Sequence, residues 1–190
     1  MGFAAGSRDL PQMRGGILVS GNFFQVLGVK PELGRGFRPE EDQVPGRDAV
    51  VVLGHDFWAN QLAADPAIIG RKVRLDGIEF TVIGVAPERF QGLDPFVRPA
   101  MFAPLMMAPR LSVNPGRNLL EDRNGRALNV KGRLALGVSR AQAEAELRTI
   151  AKGLERTYPD TNRDHGVTVE TELQTRIQDD PGADGLFGFT

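Results

Sequence analysis

Cysteine is missing from all 190 residues. That absence excludes disulfide frameworks, thiolate nucleophiles and cysteine-based zinc sites, while leaving the compartment open. Histidine is nearly missing too. The two copies, His55 and His165, have no second ligand at i+2 to i+4, so neither carries the spacing of a metal site. No stretch approaches the roughly 18 consecutive apolar residues that span a bilayer. Met1 to Leu10 has no basic segment followed by an apolar one, which predicts neither a signal peptide nor a transit peptide. An excess of one charge is also lacking: 23 Lys and Arg stand against 24 Asp and Glu, for a net charge of -1. With the basic residues scattered, no surface is expected to neutralise a phosphate backbone, and nucleic acid is not expected as a partner.

What the chain does contain is ordinary globular composition, 41% hydrophobic and 25% charged, enough for one core or two small linked ones. Ile17-Leu18-Val19 predicts a strand. Ser20 as N-cap, Phe23, Val26 and Leu27 at helical spacing, and Gly28 as a stop predict a short helix. The proline- and glycine-rich stretch from Lys30 to Gly46 predicts a loop with one helical turn after Pro39, its acidic run Glu40-Glu41-Asp42 facing solvent. Val50 to Leu53 is a β-branched run fit for a buried strand, and Phe57, Trp58, Gln61 and Leu62 continue it into a helix. Asp65-Pro66 caps a further short turn.

The strongest local signal is Asp76-Gly77 between two alternating segments, which predicts a two-residue type I′ hairpin. Its register pairs Leu75 with Ile78 and Val73 with Phe80, and sets Arg74 opposite Glu79. Prolines from 87 to 115 exclude a long helix there. Alternation over Ala127 to Leu136 predicts a strand. The capping box Ser139-Arg140-Ala141-Gln142 starts a helix with an apolar stripe of Ala143, Leu147, Ile150, Ala151 and Leu154, stopped at Tyr158-Pro159. Val167 to Thr171 has strand composition and would complete a strand-helix-strand unit packed through that stripe. The glycine-rich segment 179–190 is expected to be poorly ordered.

No pattern of catalysis is present. Gly34-Arg35-Gly36 lacks the third glycine and following helix of a phosphate loop, and Ser20 lacks the flanking glycines of a nucleophile elbow. The carboxylate pairs Glu40 with Asp42 and Asp179 with Asp180 have no apolar setting to raise a pKa. The chain is therefore expected not to be an enzyme and to need no cofactor or metal. One stretch suggests a partner surface: Phe96, Met101, Phe102, Met106 and Met107 lie close together among prolines, and Met-rich surfaces adapt to partners. The same pattern also suits residues that plug the edge of a core.

Several ordered motifs resemble one family. Val19-Ser20-Gly21-Asn22-Phe23-Phe24, Val26-Leu27-Gly28-Val29-Lys30-Pro31 and Leu33-Gly34-Arg35 are similar to the opening of the MacB-like periplasmic core domain of ABC transporter permeases. Phe57-Trp58, Asp65-Pro66-Ala67-Ile68-Ile69-Gly70-Arg71, Phe80-Thr81-Val82-Ile83-Gly84-Val85-Ala86-Pro87 and Gly132-Arg133-Leu134 follow in the family's order. The resemblance covers roughly Ile17 to Leu173 and is closest in style to orphan duplicated permeases of the MacB, FtsX and LolC class.

The resemblance implies an α+β fold with two lobes. Residues 1–48 and 126–178 would form a porter-like lobe of two βαβ units, 49–125 an inserted β-rich lobe, and 179–190 a tail leading to a membrane helix. It also implies a place on the periplasmic side of the inner membrane. There the domain would transmit motion from a cytoplasmic ABC ATPase to cargo, a lipoprotein or a periplasmic adaptor, within a permease dimer. The alternative is a ligand-sensing module that binds a small molecule or peptide between the lobes.

Overall fold

The structure is a computed structural model that describes residues 2–5, 12–90, 92–93, 98–111 and 118–178. It is α+β, and the chain divides into two compact units, Met1–Ala127 and Leu128–Thr190. Phe96 and the segment 179–190 lie outside the described residues.

Among the described residues the first unit is built on a seven-stranded mixed sheet. Its strands are β1 (Gly2–Ala5), β2 (Gln12–Val19), β3 (Leu33–Gly34), β4 (Val50–Leu53), β5 (Lys72–Leu75), β6 (Ile78–Val85) and β7 (Met101–Pro104). They lie in the order β3-β6-β4-β7-β2-β1-β5, and β5 also pairs with β6. The pairings from β6 through β4, β7, β2, β1 and β5 therefore return to β6 and close a circuit. Closure leaves few free edges for another chain to pair with. The parallel pairs are β2 with β7 and β4 with β6. Two short helices, α1 (Phe23–Leu27) and α2 (His55–Gln61), follow β2 and β4.

Burial explains the composition of the central strands. In β4, Val51, Val52 and Leu53 are all 0% exposed, because the strand is covered on both faces and has no polar side to alternate with. Val51 and Leu53 join Leu75, Phe80, Val82, Met101 and Met107 in one cluster. Val52 joins Val19, Phe24, Ile83 and Phe102 in the other. Among the described residues no polar or charged side chain is buried.

The hairpin between β5 and β6 has the expected register, Val73 with Phe80, Arg74 with Glu79 and Leu75 with Ile78. Asp76 and Gly77 have φ of 46° and 81°, the left-handed pair that a type I′ turn requires. Glu79 takes its ion pair from Lys72, at 2.9 Å, while Arg74 Nε donates to the Gly77 carbonyl. Arg74 thus stands opposite Glu79 as expected, and the ion pair itself runs diagonally from Lys72.

Strands from 2–34 and from 50–104 share one sheet, which runs across the expected division at 48/49. The expected strands at 127–136 and 167–171 are not strands: among its described residues the second unit contains only the helices α3 (Arg140–Thr157), α4 (Pro159–Asn162) and α5 (Glu172–Gln178). A strand needs a neighbour for its N–H and C=O groups, and alternation alone provides none. Val130 and Leu136 accordingly remain 91% and 105% exposed. Thr171 instead begins α5, its hydroxyl accepting from the Gln174 amide while Gln174 Oε1 accepts from the Thr171 amide. Thr171-Glu172-Leu173-Gln174 is a capping box that the strand-like residues before it obscured.

Candidate functional site

The end of β2 runs through Ser20-Gly21-Asn22 into α1, and Gly28 closes that helix with φ of 70°. Asn22, not Ser20, occupies the N-cap position and makes no capping bond; the Ser20 hydroxyl donates to Asn22 Oδ1 at 2.8 Å. A single turn of helix needs little capping when its side chains are held by a core. Phe24 is that anchor. It is 4% exposed, with ring centroids of Phe23 and Phe102 at 5.3 Å, Phe37 at 5.8 Å and Phe90 at 5.9 Å. Edge-on and tilted contacts of this kind add to simple area burial.

The acidic run does structural work. Asp42 Oδ2 accepts from the Gly21 amide at 2.7 Å and its Oδ1 from the Met106 amide at 3.2 Å, joining three loops through one carboxylate. Glu41 meets Arg35 in a two-pronged pair, 2.6 and 2.8 Å, and also accepts from the Arg38 amide. Partial burial opposes charge on Glu41, but the bonds from Arg35 and Arg38 outweigh it and hold the carboxyl below its ordinary range. The hydrogen bond to Glu41 correspondingly raises Arg35. Glu41 and Asp42 therefore do not form a solvated turn.

Beside α1 these elements enclose a cleft of about 500 Å³. Phe24 and Phe37 give it aromatic surface, Pro31 and Pro39 apolar surface, and Asn22, Gln25, Lys30 and Asp42 polar surface. Its size falls within the range of small-molecule pockets.

His55 lies elsewhere, at the start of α2. Its Nε2 is 3.5 Å from Glu32 Oε1 and its Nδ1 is 3.8 Å from Asp56 Oδ1, while Arg98 donates to Asp56 at 2.8 Å. That bond is the main cause of a lowered Asp56 pKa. Among the described residues no group of three or more His, Cys, Asp or Glu side chains is placed to hold a metal ion. His165 is exposed in the second unit.

The residues expected at a partner surface take other places. Met101, Phe102 and Met107 are 1%, 1% and 0% exposed, Met106 is half-buried, and Phe96 lies outside the described residues. Met101 and Phe102 are inside because β7 is a central strand between β4 and β2. The cleft, by contrast, carries no sequence signature: Lys30, Phe37 and Asp42 meet only once α1 and the following loop fold back together.

The first unit is thus a mixed sheet whose strands close a circuit around an apolar core, with a cleft beside α1. Residues 3–150 match the family of the MacB-like periplasmic core domain, and the chain belongs to that family, which forms the extracytoplasmic domains of ABC transporter permeases. Among solved structures, the periplasmic region of MacB from Actinobacillus actinomycetemcomitans is similar, with a TM-score of 0.59 at 14% identity, over 96% of this chain and 74% of that one. The extracellular domain of the noncanonic ABC-type transporter YknZ from Gram-positive bacteria is similar with a TM-score of 0.53 at 13% identity, over 84% of this chain and 72% of that one. At such identities the likeness is one of fold. No curated protein sequence matches the chain.

Proposed function

We propose that this domain transmits motion, driven by a cytoplasmic ABC ATPase, from the membrane part of its permease to cargo or an adaptor outside. The observation that carries this reading is the closed circuit of strands around a fully apolar core. Such a body has few ways to deform, so a displacement applied at one edge moves the whole. A role without chemistry of its own is part of this proposal. A dimeric permease and a lipoprotein or adaptor as recipient belong to the same proposal.

The test is ATP hydrolysis and cargo release measured side by side in the full permease with its ATPase, carrying a variant that loosens the sheet, such as Phe80→Ala. Continued hydrolysis with failing release supports transmission. Release at the unmodified rate from a domain shown to be destabilised overturns it. The alternative, a module that senses a small molecule or peptide, has one observation in its favour, the 500 Å³ cleft beside α1. A thermal-shift screen separates the two, because a ligand that binds only the folded state raises its apparent stability.

A further inference from the structure

The cleft beside α1 has an unbalanced chemistry. Of the two charged side chains that line it, Asp42 already accepts two backbone N–H bonds, from Gly21 and Met106. Lys30 is exposed and makes no ion pair or hydrogen bond among the described residues. Asp42 keeps its negative charge, but both of its oxygens are committed to backbone N–H groups, so Lys30 is the charged group free to meet a ligand. The same cleft is lined by the carboxamide of Gln25, also exposed and, among the described residues, without a side-chain partner, and by Phe24 and Phe37.

We propose that this cleft binds a small carboxylate carried beside an apolar or aromatic group, with Lys30 meeting the carboxylate and Phe37 the apolar part. The proposal rests on the cleft that favours the sensing reading, and supplies the ligand class that reading lacks. It does not depend on whether binding is signalled onward. A neutral apolar ligand gains nothing from Lys30, and a cation meets a like charge there while both oxygens of Asp42 are already committed to backbone N–H groups. The chemistry has two natural sources, a free aromatic acid and the carboxyl end of a peptide.

The experiment uses the full chain, followed by backbone amide NMR during titration with N-acetylphenylalanine, its neutral amide, phenylacetate and the tripeptide Ala-Ala-Phe. The expected result is saturable shifts within residues 20–39, with the acid bound about two- to fivefold more tightly than the amide, as an exposed ion pair allows. Lys30→Gln removes this preference and Lys30→Arg keeps it. Tighter binding of phenylacetate assigns the free acid, and tighter binding of the tripeptide the peptide end. Absence of shifts in that segment overturns the proposal, as does equal binding of acid and amide or a preference that survives Lys30→Gln. A thermal shift with some other compound, but none with these acids, would leave the sensing reading standing and reject only the ligand class.

Discussion

The two units hold their shape by different means. In Met1–Ala127 the strands surround side chains such as Phe80, Val82 and Leu53, all 0% exposed. In the second unit no described side chain is buried. Its longest element, α3, depends on local devices: the Ser139–Gln142 capping box, the Glu144–Arg148 pair one turn apart, and Arg148 donating to the Val167 carbonyl. Its apolar stripe stays open, with Leu147, Ile150 and Leu154 at 41%, 52% and 38% exposure. The helix carries its caps and ion pairs mostly within its own unit, whereas the sheet requires neighbours brought from far along the chain.

The comparison breaks most visibly at Phe80. Phe80→Ala is expected to cost about 3–5 kcal/mol, as for large-to-small changes in a sealed core, read from the midpoint of chemical denaturation. An unchanged midpoint would mean that the circuit of strands does not enclose that ring. Next comes Gly77→Val. A Cβ at this position meets no atom within 4 Å, so any loss must come from the backbone, held at φ of 81°. The expected cost is about 1–3 kcal/mol for a β-branched residue in that region, and Gly77→Asn should recover most of it because asparagine tolerates the left-handed conformation.

Glu41→Gln should lower stability at neutral pH by about 1 kcal/mol, the scale of a partly exposed ion pair. Its pH dependence is the sharper test. The folded pKa of Glu41 lies below its ordinary 4.5, so its contribution is complete above about pH 4.5 and fades as pH falls through the lowered folded value. The difference between Glu41→Gln and the unmodified chain should therefore shrink on acidification. A difference that grows would refute the Arg35–Glu41 pair.

In the second unit the expected effects are smaller and local. Ser139→Ala should weaken α3 by about 0.5–1 kcal/mol through loss of its cap, seen as faster amide exchange at the helix start with the denaturation midpoint of the first unit unmoved. Smallest of all is Leu147→Ala, expected within about 0.5 kcal/mol because its side chain is half in water. A cost of several kcal/mol in this chain would show that the stripe is covered after all and would erase the contrast between the units.

Much of the first unit was legible in local sequence. Asp76-Gly77 with its flanking alternation determined turn, register and buried face together, because a two-residue loop leaves the strands no other pairing. Val50 to Leu53 announced a buried strand, and Asp65 caps its turn by accepting from the Ala67 amide; in the second unit Ser139 with Gln142 likewise set the start of α3. The motifs spread from Val19 to Leu134 were sufficient to indicate the family.

What only the tertiary structure decided is who pairs with whom and who is covered. The alternation from Leu128 to Leu136 records which side chains a strand would bury, not whether a partner strand exists, and here none is paired to it. Met101 and Phe102 looked equally suited to a surface or a core; their place between β4 and β2 put them in the core. The cleft follows the same rule. Lys30 is a lone exposed cation in the sequence, and it gains an aromatic neighbourhood only because the Phe24 anchor and the Asp42 carboxylate draw three loops together. Turns and caps are settled by residues a few positions apart, whereas sheet order, burial and binding surfaces depend on long-range contacts whose loop-closure entropy is met only by the assembled core.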